Sequence, residues 1–374
     1  SGAISVNLPA GTAGAVVAFK DYLGTFDTNA VTLVQNGSDK IGGSTVNATL
    51  NTEGIAVTLV FIDSTQGWLV TDSGLQDEAP TGQYVAATGG SVATSGNFKV
   101  HTFTGPGTFC VSAAGNAAGS NQVDYLIVAG GGGGANNTSG GGGAGGYRET
   151  PGTISSYTAS PIAGSVAALT VAVQAYPVTV GAGGAGKSNP GRGDAGSVST
   201  FNSQSSAGGG GGHAGNNAGE AGGSGSGGAG GTPPGIGNPY PGGAGNTPPV
   251  SPSQGNNGGG GYDGIVTNTQ GGGGGGAGAA GSIAAAATGG NGGNGTASEI
   301  TASSVTRAGG GGGGSDNSGN PGGTAGTGGS GGGGNASTYG GGNASDGTAN
   351  TGGGGGGAAG PGASSAGGSG GSGI

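Results

Sequence analysis

The sequence predicts an all-β N-terminal module, then a polyglycine II helical bundle with connecting loops, and essentially no α-helix. Glycine supplies 109 of the 374 residues and recurs in runs. A glycine run cannot be an ordinary helix or strand, because glycine loses the most backbone entropy on folding and has no side chain to bury. The long runs are 130–134, 140–143, 208–212, 258–261, 271–276, 309–314, 331–334 and 352–357.

Polyglycine II helices explain how such runs can fold. The polyproline II conformation has about three residues per turn, a rise of about 3.1 Å and no internal hydrogen bonds. Every amide can therefore pair with a neighbouring helix, provided that no Cβ keeps the helices apart. A run of six residues makes a helix of about 19 Å, and such helices are expected to pack side by side, each depending on its neighbours.

Disorder is the main alternative, because glycine-rich and serine-rich tracts without a strict period are typical of linkers. The segments between the runs favour folding, since residues 198–201, 262–267 and 300–307 carry apolar and β-branched side chains that a simple spacer lacks. A collagen triple helix is excluded, because glycine does not hold every third position throughout.

Composition divides the chain into four parts. Residues 1–73 are predicted to form a β-rich fibre or trimerisation module, and residues 74–97 a linker. Residues 98–180 are predicted to form a β-rich base with the first polyglycine helices, and residues 181–374 the polyglycine II domain with its loops.

Short runs rich in Val, Ile, Thr and Phe predict the strands of the first module, and turn clusters separate them. Both alternating sets of residues 55–62 are apolar, so both faces of that strand look buried. A module this small has little core of its own, which favours association as a homotrimer. Trp68 is expected in the core or in an interface. The predicted strands are 4–8, 15–20, 31–35, 46–50, 55–62 and 68–71.

Further strands are predicted between residues 98 and 180. Residues 99–103 and 108–112 are expected to pair as a hairpin around residues 105–107. Residues 123–128 should form a strand that leads straight into the first glycine helix. Residues 166–180 are the last substantial apolar stretch, and the alternation of Val171, Val173 and Ala175 fits a strand that closes the base of the glycine domain.

Charge and cysteine content argue against nucleic-acid binding and against a disulfide-stabilised fold. Charged residues make up 6% of the chain, the formal net charge is −9, and the 7 Lys and Arg are too scattered for a nucleic-acid surface. Cys110 is the only cysteine, so one chain offers no disulfide. No stretch of about twenty apolar residues predicts membrane insertion, and no signal peptide is visible. Position 1 is not Met, so we expect a processed chain or a fragment.

The sequence contains no convincing catalytic or ligand-binding motif. We therefore predict that the chain is not an enzyme and has no cofactor, no metal site and no catalytic residue. His101 and His213 lie far apart in sequence, without a nucleophile elbow or a metalloprotease motif. Residues 181–188 match the phosphate-loop pattern, but a phosphate loop opens a helix and residues 189–190 (Asn-Pro) would break one. Residues 192–194 spell Arg-Gly-Asp, an integrin-type triplet that chance readily produces in a glycine-rich loop.

Side chains able to recognise another molecule are confined to loops. Aromatic rings in glycine-rich loops offer flat, rigid contact area for sugars or protein loops, although the tyrosines could equally pin the loops onto the bundle. The proline-rich loop 232–254 is the longest and stiffest, and it is the leading contact loop. The candidate receptor-binding residues are Tyr147, Arg148, Tyr157, His213, Tyr240, Tyr262, Asp263 and Tyr339.

Two parts of the chain resemble bacteriophage proteins. The segments AFKDYLGTF (18–26), QNGS (35–38) and STQGW (64–68) resemble a β-module of phage tail-fibre and other virion proteins. The segment FKVHTFTGPGTF (98–109), followed by VDYLIVA (123–129) and then glycines, resembles the entrance to phage glycine-rich distal domains.

This resemblance implies an extracellular virion tail fibre, or adhesin, that binds a host-surface glycan or outer-membrane protein non-covalently and assembles with other virion proteins. A purely structural glycine-rich fibre without a receptor site is the alternative. An ice-binding polyglycine II protein is disfavoured, because the segments between the runs vary too much for a regular flat face. Tyrosines exposed at the free end favour the adhesin, and tyrosines packed against neighbouring chains favour the structural fibre.

Overall fold

The computed structural model describes residues 2–75, 82–152, 157–164, 168–188, 191–215, 217–231, 240–264, 268–316, 318, 323–360 and 365–374. These described residues contain no helix, which confirms the prediction that α-helix is essentially absent. They accordingly contain no helix that could cross a bilayer. The chain divides into two compact units, here called the N-terminal unit (Ser1–Gln83 with Asn116–Gly119) and the glycine unit (Tyr84–Gly115 with Ser120–Ile374).

The described residues of the N-terminal unit form six strands. They are β1 (Ile4–Asn7), β2 (Val16–Lys20), β3 (Val31–Val34), β4 (Ala48–Leu50), β5 (Ala56–Phe61) and β6 (Trp68–Gly74). All six strands predicted from the sequence are thus confirmed within a few residues. They make two sheets, with the orders β1-β3-β4 and β2-β5-β6. Only the β1–β3 pair is parallel among these neighbours.

Alternate residues of β3 and β5 supply the core of this unit, together with Leu8 and Trp68. Trp68 is 0% exposed, and its ring meets the edge of Phe61 at a centroid distance of 5.5 Å. The prediction that Trp68 is a core residue is confirmed. Only one face of β5 is buried, because Thr58 and Val60 point away from the core and remain half-buried. The expectation that both faces are buried is therefore wrong within one chain.

A carboxylate fixes the loop that follows β2. The oxygens of the buried Asp21 accept hydrogen bonds from the backbone N–H groups of Thr25, Phe26 and Gly54, each at 3.0 Å. Burial alone would raise the pKa of Asp21, but the backbone N–H groups of Phe26, Thr25 and Gly54 favour its charged form and hold the pKa below its ordinary value. Asp21 thereby ties this loop to the turn before β5.

The glycine unit begins with a β-rich base. Its strands are β7 (Val85–Thr88), β8 (Ser91–Ser95), β9 (Phe98–Thr102), β10 (Gly107–Ala114), β11 (Gln122–Val123), β12 (Tyr125–Val128), β13 (Tyr147–Thr150), β14 (Leu169–Thr170), β15 (Ala175–Thr179), β16 (Ser199–Phe201), β17 (Gln204–Ser206), β18 (Thr296–Ser298) and β19 (Val305–Arg307). The largest sheet has the order β17-β16-β15-β10-β7, and the other strands form the pairs β8-β9, β11-β14, β12-β13 and β18-β19. Phe109, Val111, Val171 and Tyr176 form the core beside the large sheet.

The pairing of β9 and β10 differs from the prediction. The two strands do not form a hairpin around residues 105–107, because β9 pairs with β8 and β10 pairs with β7 and β15. The two-residue turn 96–97 joins β8 to β9, and Gly96 has a φ of 55° that such a turn favours. The stretch 74–97, predicted as a linker, thus contains β7 and β8. The strand predicted at 123–128 is divided into β11 and β12, which belong to different sheets because β11 pairs with β14 and β12 pairs with β13. Residues 166–180 hold β14 and β15, and residues 166 and 167 lie outside the described residues.

Residues 129–135, here called the central segment, show how the glycine runs pair. Its N–H groups donate to three neighbouring segments, and donors three residues apart serve the same neighbour in opposite chain direction. The pairs are Ala129 to Gly146, Gly132 to Gly143, Gly130 to Ser197, Gly133 to Asp194, Gly131 to Gly371 and Gly134 to Gly368, at 2.8–3.0 Å. The central segment therefore repeats its orientation every three residues.

The carbonyl groups of the central segment reach three further segments, which run in the same direction. The donors are Gly209 to Gly130, Gly212 to Gly133, Gly184 to Gly131, Lys187 to Gly134, Gly355 to Gly132 and Ala358 to Ala135, at 2.8–3.2 Å. Among the described residues, the central segment is thus surrounded by six neighbours. Its backbone groups are satisfied by other backbone groups rather than by side chains or by an internal helix ladder.

The same period of three recurs elsewhere in the glycine unit. The N–H groups of residues 271–277 donate to segments 308–314, 225–228 and 279–282, and their carbonyl groups accept from segments 141–144, 256–259 and 290–293. The interior of the glycine unit is consequently built from paired peptide groups, with few side chains between the segments.

Glycine is required in these segments by close packing. A Cβ on Gly131 would overlap the carbonyl oxygen of Gly353, and a Cβ on Gly132 would overlap that of Gly210. Neither Gly131 nor Gly132 has a positive φ. The absence of a Cβ, rather than conformational freedom, is therefore what these positions need.

Side-chain oxygens close the outer edges of the glycine unit. Asn291 is an example, because its Oδ1 accepts the Thr327 N–H at 2.9 Å and the Thr327 hydroxyl at 3.1 Å. The other pairs of this kind are Asn294 with the Ser330 N–H, Asn335 with the Gly328 N–H, Asn343 with the Ala366 N–H and Asp346 with the Ser369 N–H. Outer segments thus obtain a hydrogen-bond acceptor where a neighbouring segment does not supply one.

Successive segments alternate in direction, so the connecting loops gather at two ends. We call the end where the central segment begins, after β12, the base end, and the end where it finishes at Ala135 the tip end. Segments of six or seven residues run between the two ends. The antiparallel pair β12–β13 and the hairpin β18–β19 lie at the base end, because β12 leads into the central segment and β19 leads into the segment 308–314.

Candidate recognition surface at the tip end

The segment directions place five of the eight candidate residues at the tip end. Residues 207–212 run parallel to the central segment and lead into His213. The Tyr240 carbonyl oxygen accepts the N–H of Gly261 at 2.9 Å, so Tyr240 lies beside the residue that precedes Tyr262. The five residues are His213, Tyr240, Tyr262, Asp263 and Tyr339.

A row of backbone bridges, here called the tip row, connects two of these tyrosines. It consists of Tyr262, Gln270, Ser315 and Thr338 in that order. The Tyr262 N–H donates to the Gln270 carbonyl oxygen at 2.7 Å, and the Tyr339 N–H donates to the Ser315 carbonyl oxygen at 3.0 Å. Tyr339 is 44% exposed, and its ring lies beside Gly360. Tyr262 and Tyr339 therefore flank one continuous surface.

Gln270 supports this row although sequence reasoning did not single it out. Its side chain is fully buried, and its Nε2 donates to Asn268 Oδ1 at 3.0 Å and to the Asp316 carbonyl oxygen at 3.2 Å. These bonds join the loop before residue 270 to the loop after Ser315. The sequence signal that could have identified Gln270 is its position as a long polar residue directly before the glycine run 271–276.

Asp263 is buried, in contrast to its prediction as a contact residue. It is 8% exposed, and its Oδ2 has no hydrogen-bond partner among the described residues. The preceding residue, Tyr262, forms the backbone bridge with Gln270. Asp263 therefore presents little side-chain surface at the tip end.

His213 belongs to a separate charged part of the tip end. It forms a backbone bridge with Arg192, whose guanidinium pairs with Glu220 at 2.8 Å. Burial, and then the positive charge of Arg192, hold the pKa of His213 below its ordinary value, although Glu220 opposes the shift. The Arg-Gly-Asp triplet is engaged within the domain, because Asp194 also pairs with Lys187 at 2.7 Å.

Tyr147 lies at the base end and is buried, so it is not part of the surface at the tip end. It is 2% exposed, and its hydroxyl donates to Glu149 Oε2 at 2.9 Å. The reason is the pairing of Tyr147 with Val128, which seats its ring in the apolar cluster at the start of the glycine segments. Burial raises the pKa of Tyr147, and the charge of Glu149 raises it further.

Arg148 and Tyr157 also lie at the base end, away from the other candidates. The Arg148 Nη1 donates to the Ser205 carbonyl oxygen at 3.2 Å. Tyr157 is half-buried, and burial, followed by the charge of Glu149, raises its pKa. The eight predicted residues therefore do not form one site.

The backbone-built segments and their glycine requirement agree with a comparison of the chain with known families. The model of the glycine-rich domain matches residues 104–374. The chain belongs to the glycine-rich domain family. No curated protein matches the chain.

Within the glycine-rich domain, the loop 232–254 is not a single tip feature. Residues 232–239 lie outside the described residues. Residues 246–254 turn at the base end, where the buried Gln254 accepts the Ala207 N–H at 2.8 Å through Oε1 and donates to the Pro248 carbonyl oxygen through Nε2. The second half of the predicted contact loop thus fastens the base end.

Two exposed tyrosines outside the match escaped sequence reasoning. Tyr22 of the N-terminal unit and Tyr84 of the glycine unit are 89% and 68% exposed. Tyr22 follows the predicted strand 15–20 and Tyr84 lies in the predicted linker 74–97, so neither was in the glycine-rich loops where candidates were sought. Among the described residues, no three His, Cys, Asp or Glu side chains come together as a group that could hold a metal ion.

Proposed function

We propose that the chain is an adhesin segment of a bacteriophage tail fibre, whose glycine-rich domain displays receptor-binding loops on a polyglycine II bundle. Tyr240, Tyr262 and Tyr339 at the tip end of a backbone-built domain carry this proposal. Aromatic rings offer rigid contact area at low entropic cost. Recognition loops on a rigid scaffold are a common division of labour in proteins.

The polyglycine II assignment is supported by the period of three and by the six neighbours of the central segment. Three residues per turn and the absence of internal hydrogen bonds are the features of the polyproline II conformation. A hexagonal arrangement follows when each of three positions per turn sends one N–H and one carbonyl group to different neighbours.

The proposed binding is non-covalent, and the ligand is a glycan or an outer-membrane protein of a host cell surface. Gln270 and Ser315 join the tip row by backbone bonds, so the backbone at Tyr262 and Tyr339 is held in place. A preordered surface loses less conformational entropy on binding. The chain is accordingly proposed to act outside the cell, on the virion.

The N-terminal unit is proposed to assemble a homotrimer and to attach the fibre to other virion proteins. The face of the β2-β5-β6 sheet that points away from the core carries the exposed Val16, with the half-buried Val60 beside it. An apolar face of this kind gains free energy when another chain covers it.

A binding assay on cells tests the receptor proposal. The labelled full chain is titrated onto a panel of bacteria, and the triple variant Tyr240→Ala/Tyr262→Ala/Tyr339→Ala is compared with Tyr84→Ala, an exposed tyrosine outside the tip end. We expect the triple variant to lose at least about tenfold in affinity, as aromatic anchors often contribute 2 kcal/mol or more. Tyr84→Ala should bind as the wild type does. Equal binding by the triple variant would remove the tip tyrosines from the mechanism.

A purely structural fibre is the second candidate. The side-chain oxygens that close the outer edges, such as Asn291, favour it, because they make a stable body without any receptor. Under this alternative the wild-type chain is stably folded but binds no cell on the panel.

A further inference from the structure

A cavity of about 220 Å³ opens at the base end of the glycine unit, the end opposite the tip row. It lies against the antiparallel pair β12–β13, where Tyr125 pairs with Thr150 and Ile127 pairs with Arg148. Directly paired residues share a face of a sheet. Tyr125, Arg148 and Thr150 therefore share the face on which hairpin β16–β17 also packs, through the Tyr125 hydroxyl bond to Gln204 at 3.3 Å.

Arg148 is the one cationic side chain among the described residues that line this cavity. The anionic Glu149 also lines it, and its oxygens accept bonds from the Tyr147 hydroxyl at 2.9 Å, the Ser160 N–H at 3.0 Å and the Ser298 hydroxyl at 2.6 Å. Arg148 uses one donor on the Ser205 carbonyl oxygen and forms no ion pair with any described residue. A guanidinium has five N–H donors, so most of those of Arg148 remain available.

The remaining lining combines hydroxyl, amide and apolar groups. Thr150, Thr170, Ser251 and Gln204 supply polar atoms, and Ile162 and Leu169 supply apolar wall. Pockets for drug-sized ligands measure about 300–1,000 Å³. A cavity of about 220 Å³ suits one ring with several hydroxyl groups and one negative group.

The geometry points to a binding site for a single sugar residue that carries a carboxylate, of which a hexuronic acid is the simplest example. Arg148 pairs with the ligand carboxylate, since guanidinium and carboxylate form charge-assisted, bidentate hydrogen bonds. The threonine and serine hydroxyls and Gln204 bind the sugar hydroxyls. This site is independent of the tip-end tyrosines and of the proposed receptor.

Titration of the full chain with sodium glucuronate, followed by heteronuclear NMR, tests the site. We expect shift changes confined to the cavity lining, and binding of neutral glucose weaker by at least about tenfold, because a hydrogen bond to a charged group is worth about 1.5–3 kcal/mol. Arg148→Gln should weaken glucuronate binding by a similar factor. Arg192→Gln, which removes an arginine already paired with Glu220 at the tip end, should leave it unchanged.

A second variant keeps Arg148 and fills the cavity. Ala168 is buried and lines the cavity, so Ala168→Leu should abolish glucuronate binding through volume alone. Absence of wild-type binding at millimolar glucuronate, equal binding of glucose, or unchanged binding by Arg148→Gln would each overturn the proposal. Should both variants fail to fold, the wild-type shift map decides, since shifts outside the lining contradict the site.

Discussion

Gly131 and Gly353 approach each other so closely that a single Cβ on Gly131 would overlap the Gly353 carbonyl oxygen. The N–H of Gly131 donates meanwhile to Gly371 at 3.0 Å, and its carbonyl oxygen accepts the N–H of Gly184 at 2.8 Å. One residue without a side chain thus touches three other segments through its backbone. The stability of the glycine unit rests on contacts of this kind, which any larger residue would break.

Gly131→Ala should destabilise the glycine unit by about 1–3 kcal/mol, the usual cost of overpacking an interior. Gly105→Ala is the matched control, because nothing lies within 4 Å of a Cβ at Gly105 and its φ is not positive. This control should be neutral or stabilising by up to about 1 kcal/mol, since alanine restricts the unfolded chain. Urea unfolding monitored on the glycine unit measures both variants, and equal stability of the two would contradict the close-packing argument.

Amide hydrogen exchange should separate a packed bundle from a disordered glycine tract. The N–H groups of residues 129–134 all have backbone partners at 2.8–3.0 Å, so they should exchange only through large-scale opening of the domain. Exposed turn residues such as Asn202 and Gly340 should exchange at rates close to those of an unfolded chain. Rapid exchange throughout residues 129–134 would support the disordered alternative.

Asn291 should stabilise the outer edge through its carbonyl oxygen. Asn291→Ala removes the acceptor for both the N–H and the hydroxyl of Thr327, and it should lower the unfolding free energy by about 0.5–1 kcal/mol, because water replaces part of these exposed bonds. Asn291→Asp keeps an oxygen at the same position and should retain most of the stability. Thermal unfolding of the two variants checks this, and an equal loss in both would show that the acceptor is not the cause.

Local pattern was sufficient to predict the strands of the N-terminal unit. The alternation of Val57, Leu59 and Phe61 with less buried residues directly reflects the period of two in a strand. The pairing of β9 with β8 was not predictable in the same way. A turn at residues 96–97 pairs β9 with the strand before it, whereas a turn at residues 105–107 would pair β9 with the strand after it. The pattern of glycine runs predicted extended segments, but their order in space depends on hydrogen bonds between residues as distant as Gly131 and Gly371.

The candidate site was predicted only in part, because the sequence does not show which loops lie at the same end of the glycine unit. The sequence identified Tyr262 and Tyr339 as loop residues, but only the bridges of Gln270 and Ser315 show that they flank one surface. Tyr147 also follows a glycine run, yet its strand pairing with Val128 buries it at the opposite end. Composition identifies a tyrosine next to a glycine run. The direction of that run then decides whether the tyrosine lies at the base end or at the tip end.

Asp21 should make the stability of the N-terminal unit depend on acid pH. Because its folded-state pKa lies below the ordinary value, its contribution is present above the unfolded pKa of about 3.9 and is lost as pH falls through the folded pKa. Asp21→Asn should therefore lower the urea midpoint at neutral pH and reduce the fall in stability below about pH 4. Asp72→Asn, an exposed carboxylate on β6, serves as control and should leave the profile close to that of the wild type.

If the chain forms the proposed homotrimer through one face of the N-terminal unit, a charge on that face should change the oligomeric state in solution. Val16 and Val46 are both strongly exposed, but only Val16 lies on the β2-β5-β6 sheet, opposite Val60. If this sheet face joins three chains, Val16→Lys places three charges in an apolar interface and should dissociate the trimer, because burying an unpaired charge is costly. Val46→Lys should keep the trimeric mass. Light scattering on the wild type and both variants measures the outcome, and a monomeric wild type, or a trimer that survives Val16→Lys, would contradict assembly through this face.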